Sequence, residues 1–308
     1  MDKLKVDVII PTYKPEKECA ELIHRLQQQT YAIRKIIIIN TETGIFPEKL
    51  ETEPYPIEVI HIKPKDFDHG GTRNMGASIS KADIVLYITQ DAMPADEHLI
   101  EEFIKVFEAH SDIGVAYGRQ LPKNDCNIIE RFTRRFNYPE KSRIKSKSDL
   151  NELGIKTFFC SDVCAAYRRN YLLGAGGFED PTIFNEDMIF AGKRILAGDK
   201  VAYVAEAKVL HSHNYTGRQQ FHRNFDLAVS QAQYPEVFEG VPSEGEGIRM
   251  VKATARYLIR NEQPLKVIIL MYQSGCKYIG YFLGKRYKKL PMRIVMKCTS
   301  NPNYWKKS

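Results

Sequence analysis

Side chains able to do chemistry recur at one kind of place in this sequence, just after short apolar runs. Asp91 follows IVLYIT in YITQDAMP, with Pro94 close behind. Pro11, Thr12 and Tyr13 follow KVDVII, Asn40 and Glu42 follow IRKIIII, and the stretch DFDHGGTR, which holds Asp68 and Arg73, comes soon after IEVIHI. Continuous apolar runs of this length read as strands of a parallel sheet covered on both faces, and such sheets gather their chemistry at the carboxyl ends of the strands. One edge would then collect Asp91, Gln90, Arg73 and the glycine pair Gly70–Gly71. Glycine lets backbone N–H groups approach an anion just before a helix, and a guanidinium offers a forked donor to phosphate. From the residues alone this edge is a nucleotide or sugar-phosphate site, or else a plain structural turn.

The elements that must hold these groups alternate. Strands are expected at Val6–Ile10, Ile33–Asn40, Ile57–Ile62 and Asp83–Thr89. Helices are expected at about Glu16–Gln29, after the Gly-broken loop DFDHGG, and at Glu97–Ala109. The first 110 or so residues therefore read as a nucleotide-binding α/β half. IGVAYGRQ, TFFCSDVCAAYRR and VAYVAEAKVLHSH are further strand-like runs. The last closes on His211 and His213, which point the same way if the chain stays extended. Phe184–Ala197 is a helix opened by Asn185, with Glu186 and Asp187 in its first turn, where acids suit the helix dipole. Asn124–Leu153 is charge-rich and poor in strand signals, so it reads as a mobile loop, a helical excursion or a lid. From Phe221 onward the pattern is helical.

The totals narrow the classes. The chain has 308 residues, 43% hydrophobic and 27% charged, an ordinary globular composition. Its net charge of +7 is uneven: residues 264–308 carry ten Lys and Arg and no acid, so the rest sums to −3. A cationic end on a near-neutral body suits an anionic surface, whereas acids at the strand ends would repel nucleic acid. Six scattered cysteines without a CxxC pair suit a reducing compartment. The N-terminus lacks a signal-peptide pattern, and no stretch reaches the ~18 apolar residues of a spanning helix, so a cytoplasmic protein is expected.

As a set, VDVIIPTYKP, IIIIN, DHGGTRNMGA, YITQDAMP and GGFEDPTIFNEDMIFAGKRILAGDKVAYVAEAKVLHSH resemble glycosyltransferase family 2, inverting enzymes of GT-A fold, in order and spacing over about residues 5–230. HGGTRN together with TQDA is similar to the rhamnosyltransferase-like branch. The resemblance implies an α/β, GT-A domain over 1–235, with a nucleotide half at about 1–120 and an acceptor half at about 121–235, then a helical basic extension over 236–308. It implies that Asp91 stands in the place of the second Asp of an Asp-x-Asp motif and binds Mg²⁺ or Mn²⁺ beside the donor's phosphates, with Thr89 where the first Asp would be. His211 matches a V-x-H element and becomes the second metal or phosphate ligand. Asp187 of NED resembles the general base, with Glu186 as its neighbour or orienter. Pro11, Thr12, Tyr13, Asn40, Glu42, Asp68, Arg73 and Gln90 join Asp91 on the nucleotide side.

Gln220 and Arg223 in QQFHRNF are similar to a QxxRW motif with Asn224 in place of Trp, which puts them at the donor phosphate or the acceptor. A sugar-1-phosphate nucleotidyltransferase would need a GxGxR-like loop where PTYKP stands. The expected function is inverting transfer of rhamnose from a deoxythymidine diphosphate donor to a hydroxyl of a growing cell-surface or lipid-linked glycan. The alternatives are a UDP-type donor and a non-catalytic anionic-lipid-binding protein. In the tail, Tyr278, Tyr281, Phe282 and Tyr287 beside Lys285, Arg286, Lys288 and Lys289 suit a bilayer interface, against the competing reading of a packed helical cap. The expected place is the inner face of the cell membrane.

Overall fold

The apolar runs become strands because they are buried on both sides: Val8, Ile9, Ile10 and Ile36 to Ile39 are fully covered. The computed structural model describes residues 3–15, 17–47, 55–241 and 244–307. The first half of the chain forms β1 (Val6–Tyr13), α1 (Lys17–Gln27), β2 (Ile33–Thr41), β3 (Ile57–Ile62), α2 (His69–Ile79), β4 (Ile84–Ile88), β5 (Met93–Pro94), α3 (Leu99–Ala109) and β6 (Ile113–Leu121). Glu16, the expected start of the first helix, lies outside the described residues. The second half forms α4 (Ile128–Asn137), β7 (Arg143–Lys145), α5 (Leu150–Leu153), β8 (Cys164–Arg168), α6 (Arg169–Gly174), α7 (Glu186–Leu196), β9 (Lys200–Leu210), α8 (Gly217–Gln233) and α9 (Pro235–Phe238). Then come α10 (Glu244–Arg260), α11 (Lys266–Gly284), α12 (Met292–Cys298) and α13 (Tyr304–Lys307).

Among the described residues the strands make one nine-stranded sheet in the order β3-β2-β1-β4-β8-β6-β9-β5, with β7 paired to β9. β3, β2, β1 and β4 run parallel, as do β6 and β9. The sheet is not parallel throughout: β8 runs antiparallel between β4 and β6, and β5 and β7 run antiparallel to β9. One face packs on α1 and α3 through Leu22, Phe103 and Phe107, the other on α7 through Ile189 and Phe190. The charged stretch after Asn124 is a structured excursion, with α4, β7 and short helical turns, in place of a bare loop.

The C-terminal extension packs on the domain. Gly280 and Gly284 let α11 lie directly on α8, because a Cβ at either would meet the carbonyl oxygen of Phe221 or Phe225. Buried Asp226 of α8 accepts from Thr299 Oγ1 at 2.7 Å and from the backbone of Ser300 at 2.8 Å, which fastens the last turns. Tyr287 packs its ring on Trp305, and Tyr281 points inward, so the cap reading holds for these two rings. Among the described residues no helix is long and apolar enough to cross a membrane.

Candidate functional site

The ends of β1, β2 and β3 set Thr12, Asn40 and His61 side by side in register. Thr12 Oγ1 donates to Asn40 Oδ1 at 3.0 Å, and Asn40 Nδ2 lies 3.0 Å from His61 Nδ1. Gln90 clasps the backbone of Tyr13: its Oε1 accepts from Tyr13 N at 2.9 Å and its Nε2 donates to Tyr13 O at 3.0 Å. That clasp ties the end of β1, Pro11 included, to the turn that carries Asp91. A pocket of about 240 Å³ opens here, lined by Tyr13, Lys14, Glu18, Cys19 and Gln90. Thr89 Oγ1 is buried beside Asp91's turn with no hydrogen-bond partner among the described residues. Glu42 is exposed just past β2.

Pairing of β5 with the end of β9 brings Asp91 against the residues that follow β9. His211 Nε2 stands 3.4 Å from Asp91 Oδ2, and His213 Nε2 stands 3.1 Å from the same oxygen. The ligand atoms of all three lie within 4.8 Å of one another. The sequence singled out His211; His213 joins it because alternate residues of an extended chain share a side.

Behind His211, Nδ1 lies 3.0 Å from Gln120 Oε1. That oxygen also accepts from Arg134 Nη1, while Gln120 Nε2 donates to Ser161 Oγ at 3.0 Å. These partners fix the amide, so His211 Nδ1 carries the proton and Nε2 turns its lone pair to Asp91. Burial pushes the His211 ring down to about 4, so it is neutral at pH 7. With the His211 tautomer set by Gln120, His213 is the ring left to donate. A carboxylate oxygen facing an imidazole lone pair across 3.4 Å is an arrangement that a divalent cation relieves. One oxygen and two nitrogens suit Mn²⁺, and Mg²⁺ if phosphate and water complete its shell.

A second cluster sits where α7 begins. Asn185 takes the left-handed conformation at φ 65, which Asn tolerates better than most residues, and the helix then turns Glu186 and Asp187 inward. Asp187 Oδ2 accepts the backbone N–H of Asp162 at 2.9 Å, and Oδ1 that of Met188 at 2.6 Å. Arg73 Nη1 pairs with Glu186 Oε1 at 2.9 Å, and Arg73 Nε stands 2.9 Å from Asp162 Oδ2. Two carboxylates thus share one guanidinium, with Asp187 beside them on its backbone bonds. Burial, then the charges of Glu186 and Asp162, push Asp187 well above the ordinary range. Burial also pushes Asp162 up to about 7 despite Arg73. At Glu186 burial raises the group, but the charges of Arg73 and His69 together with a backbone hydrogen bond outweigh it and lower the group. Asp187 is therefore a strong base on a fixed mount, and Glu186 stays charged beside Arg73.

Two residues expected on the nucleotide side find partners within the domain. Arg73 is buried on the acid cluster. Asp68 caps α2, accepting from Gly70 N and Gly71 N at 3.0 Å and from Thr182 N. The glycine pair serves packing: a Cβ on Gly70 would meet Glu179 O, and one on Gly71 the Asp180 carboxylate. Arg223 links the two clusters, its guanidinium 4.8 Å from the Tyr215 ring and 5.1 Å from Phe184. Tyr215 stacks on His213 at 4.8 Å, and Gln220 lies three residues before Arg223 on α8. A larger cavity of about 550 Å³, lined by Tyr117, Lys145, Phe159 and Tyr203 among others, is lined by none of these groups.

Comparison with known proteins agrees with this geometry. The family model for glycosyl transferase family 2 matches residues 7–173. The chain is 40% identical to the O-antigen chain rhamnosyltransferase RfbN of Salmonella typhimurium over 98% of this chain and 96% of that protein. It is 39% identical to the O-antigen chain rhamnosyltransferase WbaN of Salmonella anatum over 97% and 95%. Among solved structures, the mannosyltransferase PcManGT of Pyrobaculum calidifontis, in complex with GDP-Man and Mn²⁺, superposes with a TM-score of 0.61 at 13% identity, covering 94% of this chain and 89% of that one. S. aureus TarS 1-349 with UDP-GlcNAc gives 0.55 at 14% identity, covering 93% and 92%. These two share the GT-A fold. With the family model over more than half its length and relatives at two-fifths identity end to end, this chain belongs to glycosyltransferase family 2.

Proposed function

We propose that the protein transfers rhamnose, with inversion, from a deoxythymidine diphosphate donor to a hydroxyl of a growing cell-surface glycan, free or lipid-linked. The sugar is supported by the two rhamnosyltransferases it resembles along nearly their whole length. The observation that carries the reaction is the division of labour at one sheet edge: a cation-seeking trio after β4 and β9, and a buried carboxylate on two backbone N–H groups at α7.

Asp91, His211 and His213 are the residues that would hold Mg²⁺ or Mn²⁺, and a bound cation offsets the negative charge that collects on a departing diphosphate. Asp187 takes the proton of the acceptor hydroxyl as its oxygen attacks the anomeric carbon from the face opposite the leaving group. The bond from that carbon to the phosphate oxygen breaks, and its electron pair leaves with the nucleotide. One displacement inverts the centre without a covalent intermediate. The N–H groups of Asp162 and Met188 aim Asp187, and Arg73 holds Glu186 and Asp162 in place. Tyr13, Thr12, Asn40 and the unpartnered hydroxyl of Thr89 line the nucleoside side, with Arg223 at the diphosphate or acceptor. The proposed place of work is cytoplasmic, at the inner face of the cell membrane, in keeping with six free cysteines and the cationic tail.

The test is thermal shift and calorimetry with thymidine diphosphate and uridine diphosphate, each with Mn²⁺ and with a chelator. Thymidine diphosphate should stabilise the protein only when the metal is present, and more than uridine diphosphate does. A preference for uridine would transfer the case to the other donor; metal-independent binding of both would sink the metal trio.

A further inference from the structure

Helix α11 carries a broad apolar face on its outside. Toward the body of the protein it turns Leu270, the two glycines that touch α8, and polar residues: Lys277, Gln273, which donates to Tyr215 O at 3.3 Å, and Tyr281, which donates to Gln231 Oε1 at 2.9 Å. Burial lowers the Lys277 ammonium, with the Glu130 charge opposing the shift and Arg134 adding to it. Toward solvent it turns Ile268 at 70% exposure, Met271, Ile279 at 53% and Phe282. A helix on a water-bathed surface hides its apolar stripe; this one displays it. The rim of the displayed face is cationic. The Arg286 guanidinium sits 3.8 Å over the Phe282 ring, and Lys288 and Lys289 follow, both exposed.

We propose that this face is a docking surface for an anionic bilayer, with α11 lying flat at headgroup depth, its isoleucines among the acyl chains and Arg286, Lys288 and Lys289 on lipid phosphates. Charge selects this occupant. Residues 264–308 hold ten cations and no acid, so a second copy of the same face would be repelled. α11 is not apolar enough to cross the membrane, so it lies on it. The same helix supports the site: Gln273 bonds the carbonyl of Tyr215, whose ring stacks on His213. Docking therefore sets the loop of the Asp91 cluster beside the bilayer, where a lipid-borne acceptor would arrive. The surface stands independently of the donor assignment.

The test is co-sedimentation of the full chain with vesicles of phosphatidylcholine alone, or mixed with phosphatidylglycerol. Deleting the tail would strip α8 of its cover, so point variants at exposed positions are used. Wild type should bind the mixed vesicles. The double variant I268D/I279D should lower the partition at least about tenfold, and K288E/K289E should lower it about tenfold for the mixed vesicles only. Unchanged partition in I268D/I279D overturns the proposal. So does a wild-type oligomer that ignores vesicles and that I268D/I279D dissociates, which would make the face a protein interface. Nucleotide binding measured by calorimetry on the same samples is a separate readout: its failure with vesicle binding intact would sink the donor reading and leave the docking surface standing.

Discussion

At the scale of single residues, the site depends on who holds each side chain still. Asp187 can accept a proton only when ionised, and burial with two neighbouring carboxylates raises the pH at which that happens. Asp187→Asn should fold and lose transfer by about 10²–10⁴-fold. In the wild type kcat/KM should rise with pH through a value above the ordinary carboxylate range, because the inactive form is the protonated one. A profile with its acid limb in the ordinary range would point to another base. Gln120 acts at one remove, through the tautomer of His211. Gln120→Leu should weaken Mn²⁺ binding, read by calorimetry, by about 10–100-fold, whereas Gln120→Glu keeps an oxygen acceptor for His211 and Arg134 and should restore most of it. Equal affinity in both variants would show that Gln120 merely fills space.

At the scale of elements, the contact of α11 with α8 runs through glycine. Gly280→Val puts a branched side chain against the Phe221 carbonyl and should cost about 1–3 kcal/mol in urea unfolding. Gly275→Ala, on the same helix with open space around it, should gain up to about 1 kcal/mol. A loss of equal size at both positions would mean that α11 does not pack this closely. The same elements show what was legible in the sequence. β1 to β4 and α7 could be read because each is a long apolar run or a periodic stretch with a marked start. β5 and β7, of two and three residues, carry no pattern of their own and form only by pairing with β9. The antiparallel setting of β8 depends on the turn through Ser161 and Asp162, which looks like any other polar break. Gly70, Gly71 and Arg73 read as an anion-gripping loop, yet the loop carrying Glu179 to Thr182 and the acids Asp162 and Glu186 claim them. Their partners lie about ninety residues or more along the chain, and no local pattern records that. The two-residue offset already places His213 on the side of His211, but the V-x-H match names His211 alone as a ligand.

At the scale of the whole molecule, two buried groups make stability depend on pH from opposite sides of neutrality. Asp162 is faced by Arg73 of α2, Glu186 and Asp187 of α7, Tyr167 of β8 and Cys160, and its folded value is about 7. The unfolded value is near the ordinary one of about 3.9. Between the two, the folded chain binds a proton that the unfolded chain releases. The stabilisation is complete below about pH 4 and is lost as pH rises through 7. Lys145 is the mirror case. It is buried against the Tyr117 ring, with its ammonium donating to the carbonyls of Lys156 and Phe159, and burial pushes it down to about 7. Its unfolded value is about 10.4, so its contribution is complete above that pH and is lost as pH falls toward 7. Other groups titrate as well, so the reading is the difference between variant and wild type in urea unfolding at a series of pH values. Stability of Asp162→Asn relative to wild type should climb between about pH 4 and 7 and stay flat above. For Lys145→Met the relative stability should climb as pH falls from about 10 to 7 and stay flat below. Each full swing amounts to a few kcal/mol. Parallel curves for variant and wild type in either window would mean that the group titrates alike in folded and unfolded chains, and that burial there is shallower than this packing shows.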